Sequence, residues 1–466
     1  MTLEADPDSR VVVIGGGISG LTAAYQLSKS TGRVTLVERS PGLGGKVRTE
    51  TVDGFLIEEG PDSFVAGKGA VIDLATELGI SDQIVSSRPE HRGSSVWSQG
   101  RFHILPEGLM LMAPSRLEPL FRSSLLSWSG KMRVLGDLVL PRRAKGDDES
   151  LESFVVRRLG REVLDRIAEP LIAGIHAAEP ATMSLRASFP RLLEMERKHR
   201  SLILAARSAG SKPVATSYSH FASFRRGMGE LTSALVGALA GVDIRTGVGV
   251  NRIRSNGGSH VLDLSDGAQL HAGGVILAVP ARDCAALLDE IAPTAAAVIA
   301  GIRQVSTTAV TLGFNRTPRL AGTGFVVPAT ERRRIMGVSY LSQKWEARVP
   351  SEELVLLRAF VRRGHEAADD QLTIEMVLDE LADLIGIESP PVLSRVHSWE
   401  GGLHQYTLGH VERVERAEQA LIGGSPLALA GAAFHGIGLN ECIASGQRAA
   451  DSISSMMRAA ISIGGE

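Results

Sequence analysis

Two hydrophobic periods organise this chain, and they change places along it. The first patterned segment, Val11–Ile14, is an unbroken apolar run that reads as a strand buried on both faces. It drops into glycines, then into ISGLTAAYQLS, whose small and apolar residues suit a closely packed helix. A second β-branched run, residues 34–37, ends on Glu38. After Asp148 and Ser150, both candidate N-caps, Leu151, Phe154, Val155, Leu159, Val163 and Ile167 recur at helical spacing and predict one helix. Strand pattern returns in GVDIRTGVGVNRIRS and SHVLDLSDGAQLHAGGVILAVP, punctuated by Asn-Gly-Gly, Asp-Gly and Gly-Gly turns. Further strands are predicted over 307–314 and 354–361. A helix follows with Ile374, Val377, Leu378, Leu381, Leu384 and Ile385 on one side. The chain closes on a third strand–glycine–helix unit, LALAGAAFHGIGLNECIASGQRAADSI.

Composition narrows the class. At 466 residues more than one core is expected. A net charge of −2 argues against a nucleic-acid partner, and two cysteines, Cys284 and Cys442, argue against a disulfide framework. No 18-residue apolar run occurs, and the N-terminus is acidic and polar. A cytoplasmic protein is expected, with peripheral membrane contact as an alternative. Charge is unevenly spread: residues 101–145 hold eight Lys or Arg (101, 116, 122, 131, 133, 142, 143, 145) against three acids, and Arg186 to Arg207 form a second basic stretch. Such runs suit a polyanionic substrate or an anionic surface, and equally a solvated set of helix faces. Four prolines interrupt the first run, which disfavours one long interfacial helix and favours a polyanionic substrate over a membrane.

The chemistry starts at Gly15-x-Gly17-x-x-Gly20, set between a strand and a helix, with Glu38 closing the next strand. Glycines there allow a tight turn and a close approach of backbone to pyrophosphate. The helix start, including Ile18 and Ser19, offers N–H groups, and the acid accepts from ribose hydroxyls. Glu38 favours a ribose without a 2′-phosphate, which leaves both NAD and FAD open. Directly afterwards come Arg39 and a second glycine loop, in which Gly44 and Gly45 precede Lys46. Backbone amides and a cation of this kind could neutralise the far side of a longer dinucleotide.

This second loop resembles that of the flavin amine oxidase superfamily, and Gly60-Pro61-Asp62-Ser63 sits where that superfamily brings backbone close to the flavin. Val250-Asn251-Arg252-Ile253 resembles its strand that returns to the adenine, and Leu277-Ala278-Val279-Pro280 is another shared trait. The closing unit is more specific. Gly431, Gly436, Ile437, Gly438 and Leu439, followed by Cys442-Ile443 and Ser445-Gly446, resemble the flavin motif of the oxygen-dependent protoporphyrinogen/coproporphyrinogen III oxidase family. Gln405-Tyr406-Thr407-Leu408-Gly409-His410 resembles that family's Pro-Gln-Tyr-x-x-Gly-His, with His404 in place of the proline.

The resemblance spans essentially the whole chain and implies an α/β fold. A Rossmann-like FAD-binding domain would be assembled from both chain ends (1–90, 205–280, 400–466). A helical insertion (91–204) and a mixed-sheet substrate domain (281–399) would enclose a largely apolar cavity facing the flavin. It implies non-covalent FAD as cofactor, a porphyrinogen and molecular oxygen as substrates, and six electrons removed in three steps. No side-chain nucleophile and no metal is called for, and His435, beside the glycine turn, is the one histidine to watch. The eukaryotic-type enzymes carry a propionate-pairing arginine about a dozen residues before their Leu-Pro. Here Ser94 stands in that place, with Arg92 and Arg101 nearest. The segment LPEGLMLMAPSRLEPLFRSSLLSWSGKMR is similar instead to Gram-positive-type enzymes acting on coproporphyrinogen III. Oxidation of coproporphyrinogen III in heme biosynthesis is therefore favoured over that of protoporphyrinogen IX. A flavin amine oxidase or a carotenoid desaturase-like enzyme remains the reading from another class, though the closing motif holds one aromatic, Phe434, where amine oxidases place a pair.

Overall fold

The computed structural model describes residues 10–30, 33–91, 93–110, 112–143, 146–210, 220–315, 320–366 and 369–464. Arg92 and Lys145 lie outside them.

Both ends of the chain meet in one parallel sheet. Its strands run in the order Asp243–Thr246, Val34–Glu38, Val11–Ile14, Gly274–Leu277 and Leu427–Leu429, with Val11 opposite both Val34 and Gly274. The continuous apolar runs are explained by cover on both faces. Val11, Val13, Leu36 and Ile276 pack toward the helices Ile18–Ser28 and Leu439–Gly464. Val12, Ile14, Val275 and Leu277 pack toward Cys284, Leu288, Ile299 and Val414 on the other side. The helices Ala281–Leu288 and Pro293–Ala300 thus cover this sheet, although the sequence places 281–399 in the substrate domain. Their apolar stripe begins immediately where the strand Gly274–Leu277 ends, so the nearest face to bury it against is the parallel sheet.

A second sheet of seven strands runs in the order Leu393–His404, Gln304–Phe314, Val355–Val361, Ile335–Tyr340, Gly324–Val326, Ser95–Ser98 and Arg101–Ile104. The helix Asp370–Ile385, capped by Asp369 accepting from the N–H of Leu372, covers one face. The last two strands come from residues 91–204, the stretch expected as a helical insertion. Ser95–Ser98 and Arg101–Ile104 form a hairpin whose first strand pairs in parallel with Gly324–Val326, extending the sheet toward the helical layer.

That layer departs from the predicted single helix over 151–167. Ser150 does cap the helix Leu151–Arg158, accepting from Ser153 N–H at 3.1 Å, but the helix stops at Gly160. Gly160 has φ +99, and its N–H returns to the carbonyls of Val155 and Val156, a left-handed termination that favours glycine. Arg133 covers the break and donates to the carbonyls of Val156, Arg157 and Arg158. The chain resumes through a wide turn of π-helix, Leu164–Ala168, into the helix Glu169–His176. Among the described residues no helix is long and apolar enough to cross a membrane.

Candidate active site

Two glycine loops are pressed together at the carboxyl ends of the parallel strands, where ligands of such sheets bind. Gly44 N–H donates to the Gly16 carbonyl at 2.8 Å, and Gly45 backs onto the Gly17 backbone. A Cβ on Gly20 would lie 1.8 Å from the Gly15 carbonyl oxygen, so no side chain fits there. Gly17 is different: nothing lies within 4 Å of its Cβ position. It begins the helix Ile18–Ser28 without a side-chain cap or an acid in the first turn. An open backbone at an uncapped helix start suits a pyrophosphate. Glu38 stands across the loop, accepting from Gly16 N–H at 2.6 Å and Ser40 N–H at 2.7 Å. Each of its oxygens keeps a lone pair for a hydroxyl. Val250 is brought to the same end of the sheet through Val248, whose N–H donates to the Glu38 carbonyl. Arg39 is exposed and turns toward Asp283 at 3.7 Å.

At the far side the closing turn is fastened by side chains. Gly431 N–H donates to Ser445 Oγ at 3.0 Å. The Tyr406 hydroxyl donates to the Ala432 carbonyl at 2.9 Å and accepts from Gly436 N–H at 2.6 Å. His410 stacks on the Tyr406 ring with centroids 3.8 Å apart and reaches the Phe434 carbonyl through Nε2. The Gln405–His410 motif is thus the clasp of the glycine turn that ends at Ile437, Gly438 and Leu439. The motif is visible in the sequence, but this role is not. Its contacts join residues 24–30 apart in the chain, and no local period signals them. His404, the departure from the family pattern, serves a different neighbour. Its Nε2 accepts from Ala281 N–H at 3.2 Å, in the first turn of the helix Ala281–Leu288. His435 points away, exposed and paired with Glu418 at 2.6 Å.

Between these ends lies the segment Gly60–Ser63, with its backbone held and its carboxylate engaged. Arg358 donates to the carbonyls of Gly60 and Glu59, and Trp399 Nε1 donates to that of Glu59. Asp62 accepts from Lys344 Nζ at 2.7 Å, from Trp345 Nε1 at 3.1 Å and from Ser63 Oγ at 2.9 Å. Burial opposes its charge, yet Lys344 and the donors around it hold the carboxyl well below its usual range. What this segment can offer a cofactor is therefore backbone rather than the Asp62 side chain. Lys46 Nζ donates to the Gly402 carbonyl in a buried setting that pushes its pKa down, and so ties the second glycine loop to the seven-stranded sheet.

A cavity of about 370 Å³ opens between the helical layer and the seven-stranded sheet. The helix Glu169–His176 and residues 177–182 form one wall, and Val305, Met336 and Gln405 stand on the other. Gln405 directly precedes Tyr406, so the cavity adjoins the clasped glycine turn. Five charged residues, Arg303, Arg362, Arg363, Glu169 and Glu179, also contribute to the lining. None of the described basic residues of 101–145 does. Among the described ones, Arg116 and Arg122 share Glu118, while Lys131 and Arg133 serve local carbonyls. Ala177, on the wall, adopts the left-handed region at φ +44, a strain of the kind that collects at functional sites.

The buried histidines set an acid limit on this arrangement. Burial, with Lys46 nearby, pushes His404 down to about 3, and burial, with Arg413 nearby, pushes His410 down to about 4. Both are neutral in the fold and take up a proton near pH 6.5 once unfolded. Their contribution to stability is present above about pH 6.5 and lost as pH falls toward the folded values, by up to about 1.4 kcal/mol per unit for each. Melting temperature measured from pH 7 to 4 should therefore fall, and His410→Asn should flatten the slope by about one proton. An unchanged slope in the variant would show that His410 does not carry this dependence.

A family model described as flavin containing amine oxidoreductase matches residues 18–454. The chain is 35% identical to a coproporphyrinogen III oxidase of Propionibacterium freudenreichii subsp. freudenreichii, covering 95% of this chain and 90% of the relative. It is 34% identical to a protoporphyrinogen oxidase of Bos taurus, covering 94% and 97%. A crystal structure of a protein from Exiguobacterium sp. 255-15, assigned as a protoporphyrinogen oxidase, superposes with a TM-score of 0.86. That protein is 31% identical, with 96% of this chain and 99% of that one covered.

Proposed function

Since the chain belongs to the flavin containing amine oxidoreductase family, in its porphyrinogen-oxidising branch, we propose that it converts coproporphyrinogen III to coproporphyrin III. It is an FAD-dependent oxidoreductase whose substrate is a porphyrinogen, and oxygen fits as the co-substrate. The observation that carries the finer choice is the cavity lining, where three arginines face two glutamates. Four propionates on the substrate would use such a surface more fully than two. Protoporphyrinogen IX remains the second reading, supported by the Bos taurus relative and the Exiguobacterium structure.

In this reading Gly15, Gly17, Ile18, Ser19 and Gly20 would hold the pyrophosphate, Glu38 and Arg39 the ribose end, and Val250 the adenine. Gly44, Gly45, Lys46, the Gly60–Ser63 backbone and the turn from Gly431 through Gly436 to Leu439 would hold the remainder. The uncapped helix start and the open backbone at Gly17 fit that assignment. Bound FAD supplies the two-electron acceptor, and oxygen takes up the electrons. The chain's own residues supply position and enclosure. Tyr406 and Ser445 keep the turn in one conformation, Arg358 and Trp399 fix the opposite backbone, and the helix Glu169–His176 walls the substrate from solvent. Glu169, whose pKa burial pushes up, accepts from Ala329 N–H and faces Arg362, so it braces the wall. Porphyrin fluorescence followed with both porphyrinogens side by side tests the choice. A higher kcat/KM for coproporphyrinogen III is expected, and a higher value for protoporphyrinogen IX would reverse it.

A further inference from the structure

The three arginines of the cavity are not equivalent. Arg362 is already used: it donates to the carbonyls of Val327 at 2.7 Å and Arg333 at 3.2 Å and lies 3.6 Å from Glu169. A guanidinium with that many partners is part of the wall. Arg303 is exposed at the start of the strand Gln304–Phe314. Its backbone is pinned, its carbonyl accepting from Gln405 N–H at 2.8 Å, and its guanidinium has no partner among the described residues. Among the described residues Arg363 has one partner, Glu179, at 3.9 Å, with both side chains about half exposed or more (48% and 66%). That distance is beyond a hydrogen bond, and such a pair is worth little.

We propose that Arg303 and Arg363 are the carboxylate-reading residues of the substrate cavity, and that Glu179 occupies the Arg363 site in the absence of substrate and yields it to a propionate. The inference rests on the porphyrinogen reading and goes beyond it by naming the residues that recognise charge. A planar guanidinium fork matches a carboxylate in a two-bond arrangement, which a neighbour at 3.9 Å does not use. Arg303 is held by a backbone that also carries Gln405, next to the Tyr406 clasp. A propionate bound there would therefore register the macrocycle against the glycine turn. Glu179 has the opposite effect, because it competes with the substrate for the same cation. Removing it should tighten binding, whereas removing either arginine should weaken it.

The FAD-loaded protein and its Arg303→Glu, Arg363→Glu and Glu179→Gln variants would be titrated with coproporphyrin III and with its uncharged tetramethyl ester, with porphyrin fluorescence as the readout. Each arginine variant is expected to weaken coproporphyrin III about tenfold, the worth of roughly one charge-assisted contact. Glu179→Gln is expected to tighten it about threefold, the worth of one exposed ion pair. The ester should bind all four proteins alike, and Arg116→Glu, in the basic run outside the cavity, should leave both unchanged. Equal affinity of all four proteins for coproporphyrin III would overturn the assignment while leaving the porphyrinogen reading intact. Parallel loss of acid and ester would also overturn it, since the arginines would then shape the cavity rather than read charge. Failure of the wild-type protein to bind either porphyrin would remove the porphyrinogen reading and this inference with it.

Discussion

Replacing Arg158 by methionine is expected to lower the unfolding free energy by about 3–5 kcal/mol. Arg158 and Asp137 are both fully buried in the helical layer and form an ion pair there. Nε of Arg158 donates to Asp137 Oδ1 at 2.7 Å, Nη1 to the Pro141 carbonyl at 3.0 Å, and Nη2 to the carbonyls of Asp137 and Arg200 at 3.0 and 2.7 Å. The second Asp137 oxygen accepts from Ser201 Oγ at 2.6 Å and Ile203 N–H at 3.0 Å. The pair thus joins the turn Gly136–Leu138, the helix Leu151–Arg158 and the helix Leu202–Gly210. Removing the cation leaves a buried carboxylate and the carbonyls of Asp137, Leu140, Pro141 and Arg200 without it, and water cannot replace it in a packed core. Replacing both partners, Arg158→Met with Asp137→Leu, should cost less than the sum of the single changes, because no unpaired charge then remains. Denaturant unfolding of the single variants and the double variant measures this. A loss below about 1 kcal/mol for Arg158→Met would mean the pair is solvated and the layer is held by apolar packing alone.

The second large effect is on the cofactor. Glu38→Ala should weaken FAD about 10- to 150-fold, the worth of hydrogen bonds to a charged acceptor, while the loaded variant turns over at nearly the normal rate. The structure adds a reason for the upper part of that range. Glu38 also accepts from Gly16 N–H and Ser40 N–H, so alanine removes the brace of the glycine loop together with the ribose acceptor. Titration of the apoprotein with FAD provides the readout. An unchanged dissociation constant would place the ribose elsewhere.

These two predictions differ in how far they can be read from the chain itself. The strand, the glycines and Glu38 announce themselves because a dinucleotide-binding turn is built within about thirty contiguous residues. The closing glycine unit is legible for the same reason. The buried Arg158–Asp137 pair is not, since Arg158 reads as one more cation in a basic region and its partner lies 21 residues away. The helix end at Gly160 is hidden because apolar spacing continues across it, and the break is visible only in a left-handed backbone covered by Arg133. The hairpin Ser95–Ser98 with Arg101–Ile104 joins a sheet whose other strands all come about 200 residues later or more. Local pattern carries no information about that pairing. The charge of 101–145 misleads in the same way. Most of its described cations are spent on carbonyls and on Glu118, while Arg303 and the adjacent Arg362 and Arg363, outside any long basic run, line the cavity.

At the centre of this account, a porphyrinogen gives up six electrons at the flavoprotein and oxygen receives them. Oxygen uptake and porphyrin formation measured together, in one sealed vessel, test it most directly. Six electrons and six protons passed to oxygen in pairs require three O₂ consumed and three H₂O₂ formed for each porphyrin. That ratio is predicted with coproporphyrinogen III, at a rate proportional to the FAD-loaded protein. Porphyrin appearing no faster than in buffer alone, with the flavin bound and oxygen present, would contradict it.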